Sequence, residues 1–99
     1  MVIVGGWFEV DPGERDAFLA ARADSVRRSR AEPGCLEYVV APDPVEPGRV
    51  VLFERWESQA ALDAHLAAMR NAPQPESPAV EPKSRSIVVY DVSGERPLV

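Results

Sequence analysis

The chain has few side chains that could do chemistry, and its single histidine, His65, is the foremost of them. Imidazole has an ordinary pKa close to neutrality, so His65 can act as a base or as a hydrogen-bond donor near pH 7. At about 100° per residue, it falls roughly 50° from the centre of the apolar stripe that Leu62, Leu66 and Met69 form. His65 is therefore predicted to border the core, either facing a pocket or as a structural histidine where the helix meets the sheet.

Glu54 is the acidic residue that we consider as a partner for this histidine, because it lies in the middle of a predicted strand. A carboxylate buried there needs a hydrogen-bonding partner or a raised pKa. Paired with His65, Glu54 would orient the imidazole as a general base. The alternative is a structural carboxylate bonded to arginine or backbone groups.

Three further residues are candidates for contact with a ligand. Trp56 lies at the end of a predicted strand, where its ring suits either stacking on an aromatic ligand or packing in the core. Tyr38 shares a strand face with Leu36 and Val40, so its hydroxyl reaches either a ligand or water. Gly6 stands among bulky residues, where it leaves space for a ligand or marks a β-bulge.

Composition excludes several kinds of site. The 99 residues include 16 acidic and 11 basic side chains, which give a net charge of −5, with one Cys and one His. One Cys and one His cannot form a zinc cage, and no carboxylate cluster has the spacing of metal ligands. The acidic balance argues against nucleic-acid binding, which needs clustered Lys and Arg. We therefore expect no metal site and no nucleic-acid partner.

No segment of the sequence indicates export or a membrane. The apolar run at residues 2–4 is far shorter than the core of a signal peptide and lacks a basic leader. No stretch approaches the roughly 20 apolar residues that span a bilayer. The lone thiol, Cys35, suits a reducing compartment and is interpreted as structural rather than as a nucleophile. We expect a cytoplasmic protein with no membrane partner.

The elements that must position these residues can be recognised from strand-forming runs, helix caps and breakers. Strands are predicted over residues 2–10, 35–41, 49–57 and 86–92, and helices run from the Asp11 cap to about residue 31 and from the Ser58 cap to about residue 70. Four prolines in residues 71–83 predict an irregular connection, and residues 94–99 form a tail. The order predicts one α+β domain over residues 1–99. Its topology is the ferredoxin-like βαββαβ, a four-stranded antiparallel sheet with two helices on one face.

This predicted sheet has large apolar residues on both faces. Alternation places Trp7 and Phe53 on one face and Phe8 and Trp56 on the other. A sheet that helices cover on one side is expected to be polar on the other. Two uncovered aromatic residues, together with their Val and Ile neighbours, would expose an apolar patch. Its area would exceed the roughly few hundred Å² that monomeric proteins tolerate. We infer a homodimer that packs sheet on sheet, unless the register differs and these groups share one core.

Four short blocks stand in a familiar order and spacing: VDPG at residues 10–13, EPGCLEY at residues 32–38, ERWES at residues 54–58 and ALDAHL at residues 61–66. They resemble the antibiotic biosynthesis monooxygenase family over about residues 1–70, and the final strand resembles it loosely. The family consists of small dimeric α+β barrels. The resemblance implies an oxygenase without metal, flavin or haem cofactor, which oxidises quinols or polycyclic phenols with O₂. Haem-degrading members and members with no established activity also belong to the family.

The resemblance also implies a register and a pocket, because the family's pocket lies between the helices and the sheet. Residues implied to face the helices are Gly6, Leu52, Glu54 and Trp56. The resemblance implies that Trp7, Phe53 and Arg55 meet the dimer partner. The open face through which we expect the dimer to form carries Ile3, Trp7, Val51 and Phe53. Residues then expected to contact a small aromatic substrate are Trp56, Tyr38, Gly6, Leu52, Leu62, Leu66 and Met69, with His65 and Glu54 as the catalytic pair.

The chain departs from two branches of this family. Trp56 matches a tryptophan in the site of the aromatic polyketide monooxygenases, but Leu52 and Leu62 stand where those enzymes add Asn and Tyr. The haem-degrading branch has an Asn at the position of Gly6, a Trp at that of His65 and an iron-ligating His that this chain lacks. Haem degradation is therefore not expected. The nearest fit is the quinol-monooxygenase-like branch, which the chain resembles at Glu54, Trp56 and His65.

Three functions are compatible with these features. The first is a cofactor-independent monooxygenase in which His65 takes a phenolic proton, because the resulting electron-rich anion can pass an electron to O₂. Its substrate would be a small quinol or polyphenol. The second is a non-catalytic dimeric protein of the same fold that binds a small molecule or responds to stress. The third is a subunit that assembles with a different protein.

Overall fold

Four strands and two helices follow one another along the chain in the order β1, α1, β2, β3, α2, β4. The computed structural model describes residues 1–72 and 80–99. The strands are β1 (Val2–Glu9), β2 (Cys35–Pro42), β3 (Arg49–Trp56) and β4 (Ser84–Asp91), and the helices are α1 (Arg15–Arg30) and α2 (Gln59–Arg70). The predicted ferredoxin-like α+β topology is confirmed. Within the predicted irregular connection over residues 71–83, residues 73–79 lie outside the described residues.

Both helices begin near the capping residues that the sequence predicts. The Asp11 carboxylate accepts a hydrogen bond from the Gly13 amide at 3.4 Å, and the Ser58 hydroxyl accepts one from the Ala61 amide at 3.1 Å. Residues 12–14 form a short 3₁₀ turn, so α1 begins at Arg15, later than predicted. Among the residues that the structure describes, no helix has both the length and the hydropathy needed to cross a membrane.

The sheet has the strand order β2–β3–β1–β4, with antiparallel neighbours throughout. The central strand β1 pairs with β3 so that Gly6 lies opposite Leu52, and with β4 so that Val4 lies opposite Val89. On the covered face, α1 packs against β2 and β3, and α2 packs against β3. Phe18 of α1 also reaches Phe8 of β1, so that β4 is the strand least covered by the helices.

The core lies between the helices and one face of the sheet, and alternate strand residues point into it. Its buried strand residues include Val2, Val4, Phe8, Val50, Leu52 and Trp56. Phe18 of α1 packs on Phe8 with ring centroids 5.3 Å apart, and Leu62 of α2 is 2% exposed. The register implied by the family resemblance is confirmed, because Leu52 and Glu54 are buried on the helix-facing side.

The opposite face of the sheet carries the apolar residues predicted for it. Ile3, Trp7 and Phe53 are partly buried and Val51 is 39% exposed. The Arg49 guanidinium stacks over the Trp7 ring, 4.6 Å from its centroid. That this face is buried in a homodimer stays a prediction.

Candidate functional site

A cavity of about 460 Å³ lies between the helices and the sheet, and seven of the nine predicted site residues line it. This volume falls within the range of small-molecule sites, roughly 300–1,000 Å³. The seven residues are His65, Glu54, Tyr38, Leu52, Leu62, Leu66 and Met69. The wall is mostly apolar, and the polar groups on it come from a few side chains.

His65 is the most deeply buried polar group at this cavity, with 1% of its surface exposed. The Ser58 cap fixes the start of α2, which places His65 one turn after Leu62 on the side that faces the sheet. Its Nδ1 lies 3.0 Å from Glu32 Oε2, a hydrogen-bond distance. Its Nε2 lies 3.8 Å from Glu54 Oε1. The imidazole is thus held between two carboxyl groups.

Glu54 is 5% exposed, and its Oε1 accepts a hydrogen bond from Trp56 Nε1 at 2.9 Å. Burial raises the pKa of the Glu54 carboxyl above its ordinary value, and the Trp56 hydrogen bond and nearby His65 offset part of this effect. A separation of 3.8 Å from the imidazole is too long for a hydrogen bond. The hydrogen-bonded partner of His65 is Glu32, whereas Glu54, the predicted partner, is a close neighbour.

Trp56 does not take the place expected of a substrate-stacking residue. Its side chain is 0% exposed and does not line the cavity. The indole instead packs against the imidazole of His65, with ring centroids 4.6 Å apart and the planes inclined at 34°. Trp56 therefore acts on the site indirectly, because it supports His65 and donates a hydrogen bond to Glu54.

Gly6 also lies outside the cavity lining, which corrects the expectation that it leaves space for a ligand. A Cβ at this position would overlap the carbonyl oxygen of Ser86 on the neighbouring strand β4. The space beside Gly6 is thus filled by the backbone of β4. Glycine is needed here for the close approach of two strands.

Tyr38 lines the cavity from β2 and is 6% exposed. Its ring lies 5.4 Å from the His65 ring, measured between centroids. Burial, together with the nearby Glu54, raises the pKa of the Tyr38 phenol to about 12. The hydroxyl is therefore protonated near neutral pH and is able to donate a hydrogen bond.

Leu66 and Met69 line the cavity but are far from buried, at 43% and 45% exposed. The apolar stripe of α2 therefore does not mark the centre of its buried face. Leu62 and His65 occupy that centre, which places the histidine deeper than its sequence position on the edge of the stripe predicts.

Three charged residues at this site were not identified from the sequence. Arg22 and Arg85 line the cavity, and Glu32 binds His65. The Arg22 guanidinium lies over the Phe18 ring, 3.4 Å from its centroid, and burial lowers the pKa of Arg22. Arg22 follows Phe18 by four residues, so helical periodicity could have predicted that the two side chains lie on the same face of α1.

Strand β4 supplies Arg85, Ile87 and Val89 to the cavity wall, and their alternation along the strand indicates that they share one face.

Among residues 1–72 and 80–99, no group of three or more His, Cys, Asp or Glu side chains is arranged to hold a metal ion. Cys35 is partly buried, and burial raises the pKa of its thiol, so the reactive thiolate is disfavoured.

Comparisons with known proteins agree with this fold. A family model described as antibiotic biosynthesis monooxygenase matches residues 1–70. The Synechocystis protein sll1783 is 35% identical over 65 residues, which are 66% of this chain and 44% of that protein. The Bacillus subtilis protein named "Putative monooxygenase YcnE" is 31% identical over 65 residues, 66% of this chain and 68% of that one.

A solved structure from Deinococcus radiodurans, which carries the same family name, covers 100% of this chain and 99% of its own with a TM-score of 0.81. At 21% sequence identity this likeness shows the fold. The matched segment spans less than half of the Synechocystis relative's length. The matched residues 1–70 include His65, Glu54 and Glu32. The chain belongs to the antibiotic biosynthesis monooxygenase family.

Proposed function

We propose that this protein is a monooxygenase that oxidises a small quinol or polyphenol with O₂ and needs no bound cofactor. The observation that carries the proposal is a cavity of about 460 Å³, largely apolar, with the imidazole of His65 in its wall. An apolar pocket of this size suits one or two fused aromatic rings. Family membership and the name of the Bacillus subtilis relative support the reaction class.

In the proposed reaction His65 Nε2 takes the proton of a substrate hydroxyl. The phenolate passes one electron to O₂, and the two radicals combine at a ring carbon. Loss of water then gives a hydroxyquinone, so that quinol plus O₂ yields hydroxyquinone plus water. Two of the four electrons come from the quinol and two from the C–H bond that becomes C–OH. His65 returns its proton to the oxygen atom that leaves as water.

Other side chains of the wall fit an anionic intermediate of this kind. The protonated Tyr38 hydroxyl can donate a hydrogen bond to a substrate oxygen. The guanidinium groups of Arg22 and Arg85 at the same cavity favour a phenolate over the neutral phenol. Apolar contact with the rings falls to Leu52, Leu62, Leu66 and Met69.

An oxygen electrode tests the proposal with purified, metal-free protein and a panel of quinols that includes reduced menadione. We expect O₂ uptake above the rate of autoxidation. His65→Ala should lower kcat by about 10²- to 10⁴-fold, the usual contribution of a positioned acid–base group. Asp63→Ala, at an exposed position of the same helix, is the matched control and should keep full activity. No uptake across the whole panel would exclude the proposed reaction.

A non-catalytic small-molecule-binding protein is the second candidate. It is favoured by the burial of Trp56 away from the cavity and by leucine at positions 52 and 62, which leave few polar groups to orient a substrate. A rise in melting temperature with quinols or their quinones, without O₂ uptake, would support this function over catalysis.

We also propose that the protein is a cytoplasmic homodimer formed through the open face of the sheet. Support comes from the partly exposed apolar residues of that face, Ile3, Trp7, Val51 and Phe53. The free Cys35 suits a reducing compartment. Light scattering after gel filtration measures the mass in solution, and a monomer at micromolar concentration would contradict the dimer.

A further inference from the structure

The two ring nitrogens of His65 have different surroundings, although a carboxyl group lies near each. Nδ1 is 3.0 Å from Glu32 Oε2, and Nε2 is 3.8 Å from Glu54 Oε1. Two aromatic rings complete the enclosure: Trp56 from β3 and Tyr38 from β2. The groups that face the imidazole therefore come from β2, β3 and the turn that follows α1.

The shorter distance determines where the imidazole hydrogen lies. A carboxylate oxygen only accepts hydrogen bonds, so the contact with Glu32 requires the hydrogen on Nδ1 of His65. The distance from Nε2 to Glu54 is beyond hydrogen-bond range, and that oxygen of Glu54 already accepts the Trp56 N–H. Within the described residues Nε2 is then left with a lone pair that no hydrogen bond engages, on a side chain that lines the cavity.

Solvent exposure also distinguishes the two carboxyl groups. The Glu32 side chain is 23% exposed, whereas that of Glu54 is 7% exposed. A negative charge costs less at a site that water reaches than at a buried one. Of the two acids, Glu32 is therefore the better acceptor for an N–H group and the better partner for an imidazole that gains a proton.

The backbone around Glu32 holds its side chain in place. The Glu32 amide donates to the Ser29 carbonyl at 3.1 Å, which continues the end of α1. Two residues later, the Gly34 carbonyl accepts a hydrogen bond from the Glu57 amide at 2.9 Å, which ties the turn to the junction of β3 and α2. Gly34 has a φ of 82°, a left-handed conformation that favours glycine. The turn is therefore anchored on both sides of Glu32.

We propose that Glu32 is a positioning residue, which accepts the Nδ1–H of His65 and holds the imidazole in the tautomer that presents an unprotonated Nε2 to the cavity. The hydrogen bond itself stands on the geometry alone. Its catalytic consequence rests on the proposed function, because only a reaction that needs a base makes use of Nε2.

The single histidine makes a direct test possible. In tag-free protein with ¹⁵N-labelled histidine, the imidazole nitrogen spectrum contains signals from one ring only. We expect a protonated Nδ1 and an unprotonated Nε2 over the pH range in which the ring is neutral. A wild-type ring with its hydrogen on Nε2, or one that stays doubly protonated up to pH 9, would overturn the proposal. This measurement needs neither a variant nor turnover.

Glu32→Ala tests whether this carboxylate is the cause. We expect the Nε2–H tautomer to appear in the variant. We also expect kcat to fall by about 10- to 100-fold with little change in KM, because the loss of positioning removes part of the roughly 10²–10⁴-fold contribution of a positioned base. The matched control is Glu37→Ala, which removes a carboxylate that faces Arg55 instead. A Glu32→Ala spectrum identical to the wild type would contradict the positioning role.

The two proposals fail in distinguishable ways. If no quinol supports O₂ uptake but the wild-type ring carries its hydrogen on Nδ1 and loses this preference in Glu32→Ala, the positioning of His65 stands and the monooxygenase proposal fails. If activity is present and unaffected in folded Glu32→Ala, the monooxygenase proposal stands and the positioning role fails.

Discussion

Strands β3 and β4 flank the same central strand and each pairs with it over eight residues, yet their burial is opposite. Val50 and Trp56 of β3 are 0% exposed, whereas Ile87 and Val89, on the same face of β4, are 40% and 50% exposed. The helices account for the difference, because α1 and α2 pack over β2 and β3. Burial in this sheet therefore follows both the helices above a strand and the place of the strand, since β3 has a neighbour on each side and β4 lies at an edge.

The difference in burial between β3 and β4 gives the two strands different roles at the cavity. β3 carries Glu54 and Trp56, whose positions are fixed by packing around His65. β4 supplies Arg85 and Val89 to the other wall of the cavity, where the side chains keep contact with solvent. A ligand in this cavity would therefore meet a buried wall on the side of β3 and a more solvent-exposed wall on the side of β4.

The largest expected effect comes from an aromatic residue of the buried strand. Trp56→Ala should lower the free energy of unfolding by about 3–5 kcal/mol, because it opens a large cavity and removes the donor to Glu54. Val89→Ala, on the same face of β4, is the control and should cost less than about 1 kcal/mol. Urea unfolding at one fixed protein concentration measures both values. Equal losses would contradict the contrast between the strands.

A second substitution tests how closely β4 packs against β1, although β4 is exposed to solvent. Gly6→Ala should cost about 1–3 kcal/mol, because the new Cβ overlaps the Ser86 carbonyl and pushes β4 away from β1. Gly5→Ala is the matched control, since its Cβ would meet Tyr90 Cε2 at an ordinary 3.6 Å. Urea midpoints compare the variants, and hydrogen exchange reports whether the amides of β4 lose protection. If Gly6→Ala were as stable as Gly5→Ala, β4 would be free to shift.

Much of the fold follows from local sequence signals. The capping residues Asp11 and Ser58 predict the helix starts, and alternation along β3 predicts that Leu52, Glu54 and Trp56 share one face. The beginning of β4 is less visible, because its first residues are polar, and the strand starts at Ser84 rather than at the predicted residue 86.

The contacts within the site are harder to predict, because they join distant parts of the chain. Glu32 precedes His65 by 33 positions and reaches it only through the turn after α1. An aromatic residue at a strand end is equally compatible with the core and with a ligand, and only packing assigns Trp56 to the core. Arg22 and Arg85 have the charge typical of solvent-facing positions, so sequence alone does not place them at a cavity.

A third change concerns the buried carboxyl of β3. Burial raises the pKa of Glu54 above its ordinary value of 4.5, so the folded protein binds this proton more tightly than the unfolded chain does. This tighter proton binding stabilises the folded state. Its contribution is fully present below pH 4.5 and is lost as the pH rises through the raised pKa of Glu54. The side chain that Glu54→Gln introduces stays neutral at every pH. The free energy of unfolding of this variant should therefore increase relative to that of the wild type as the pH rises through the raised pKa of Glu54.

Urea midpoints between pH 4 and pH 8 measure this difference. A Glu54→Gln protein that loses stability relative to the wild type as the pH rises would show that ionised Glu54 stabilises the fold, opposite to the effect of its burial.

The smallest expected change in stability comes from the exposed wall, where a matched pair of adjacent residues exists. Val88 and Val89 are 45% and 50% exposed and point to opposite faces of β4. Val89 lines the cavity, whereas Val88 lies on the open face. Val89→Ala should cost less than about 1 kcal/mol of stability. It should nevertheless raise KM for reduced menadione by about 3- to 10-fold, because it removes apolar contact at roughly 0.8 kcal/mol per methylene.

Val88→Ala should leave KM unchanged and weaken self-association instead, if the open face forms the dimer. Oxygen uptake gives KM, and light scattering over a dilution series gives the association constant. Equal effects of the two substitutions on KM would mean that the two faces of β4 are not separate surfaces. The wall assigned to the ligand would then extend around the edge of the sheet, because β4 is its outermost strand.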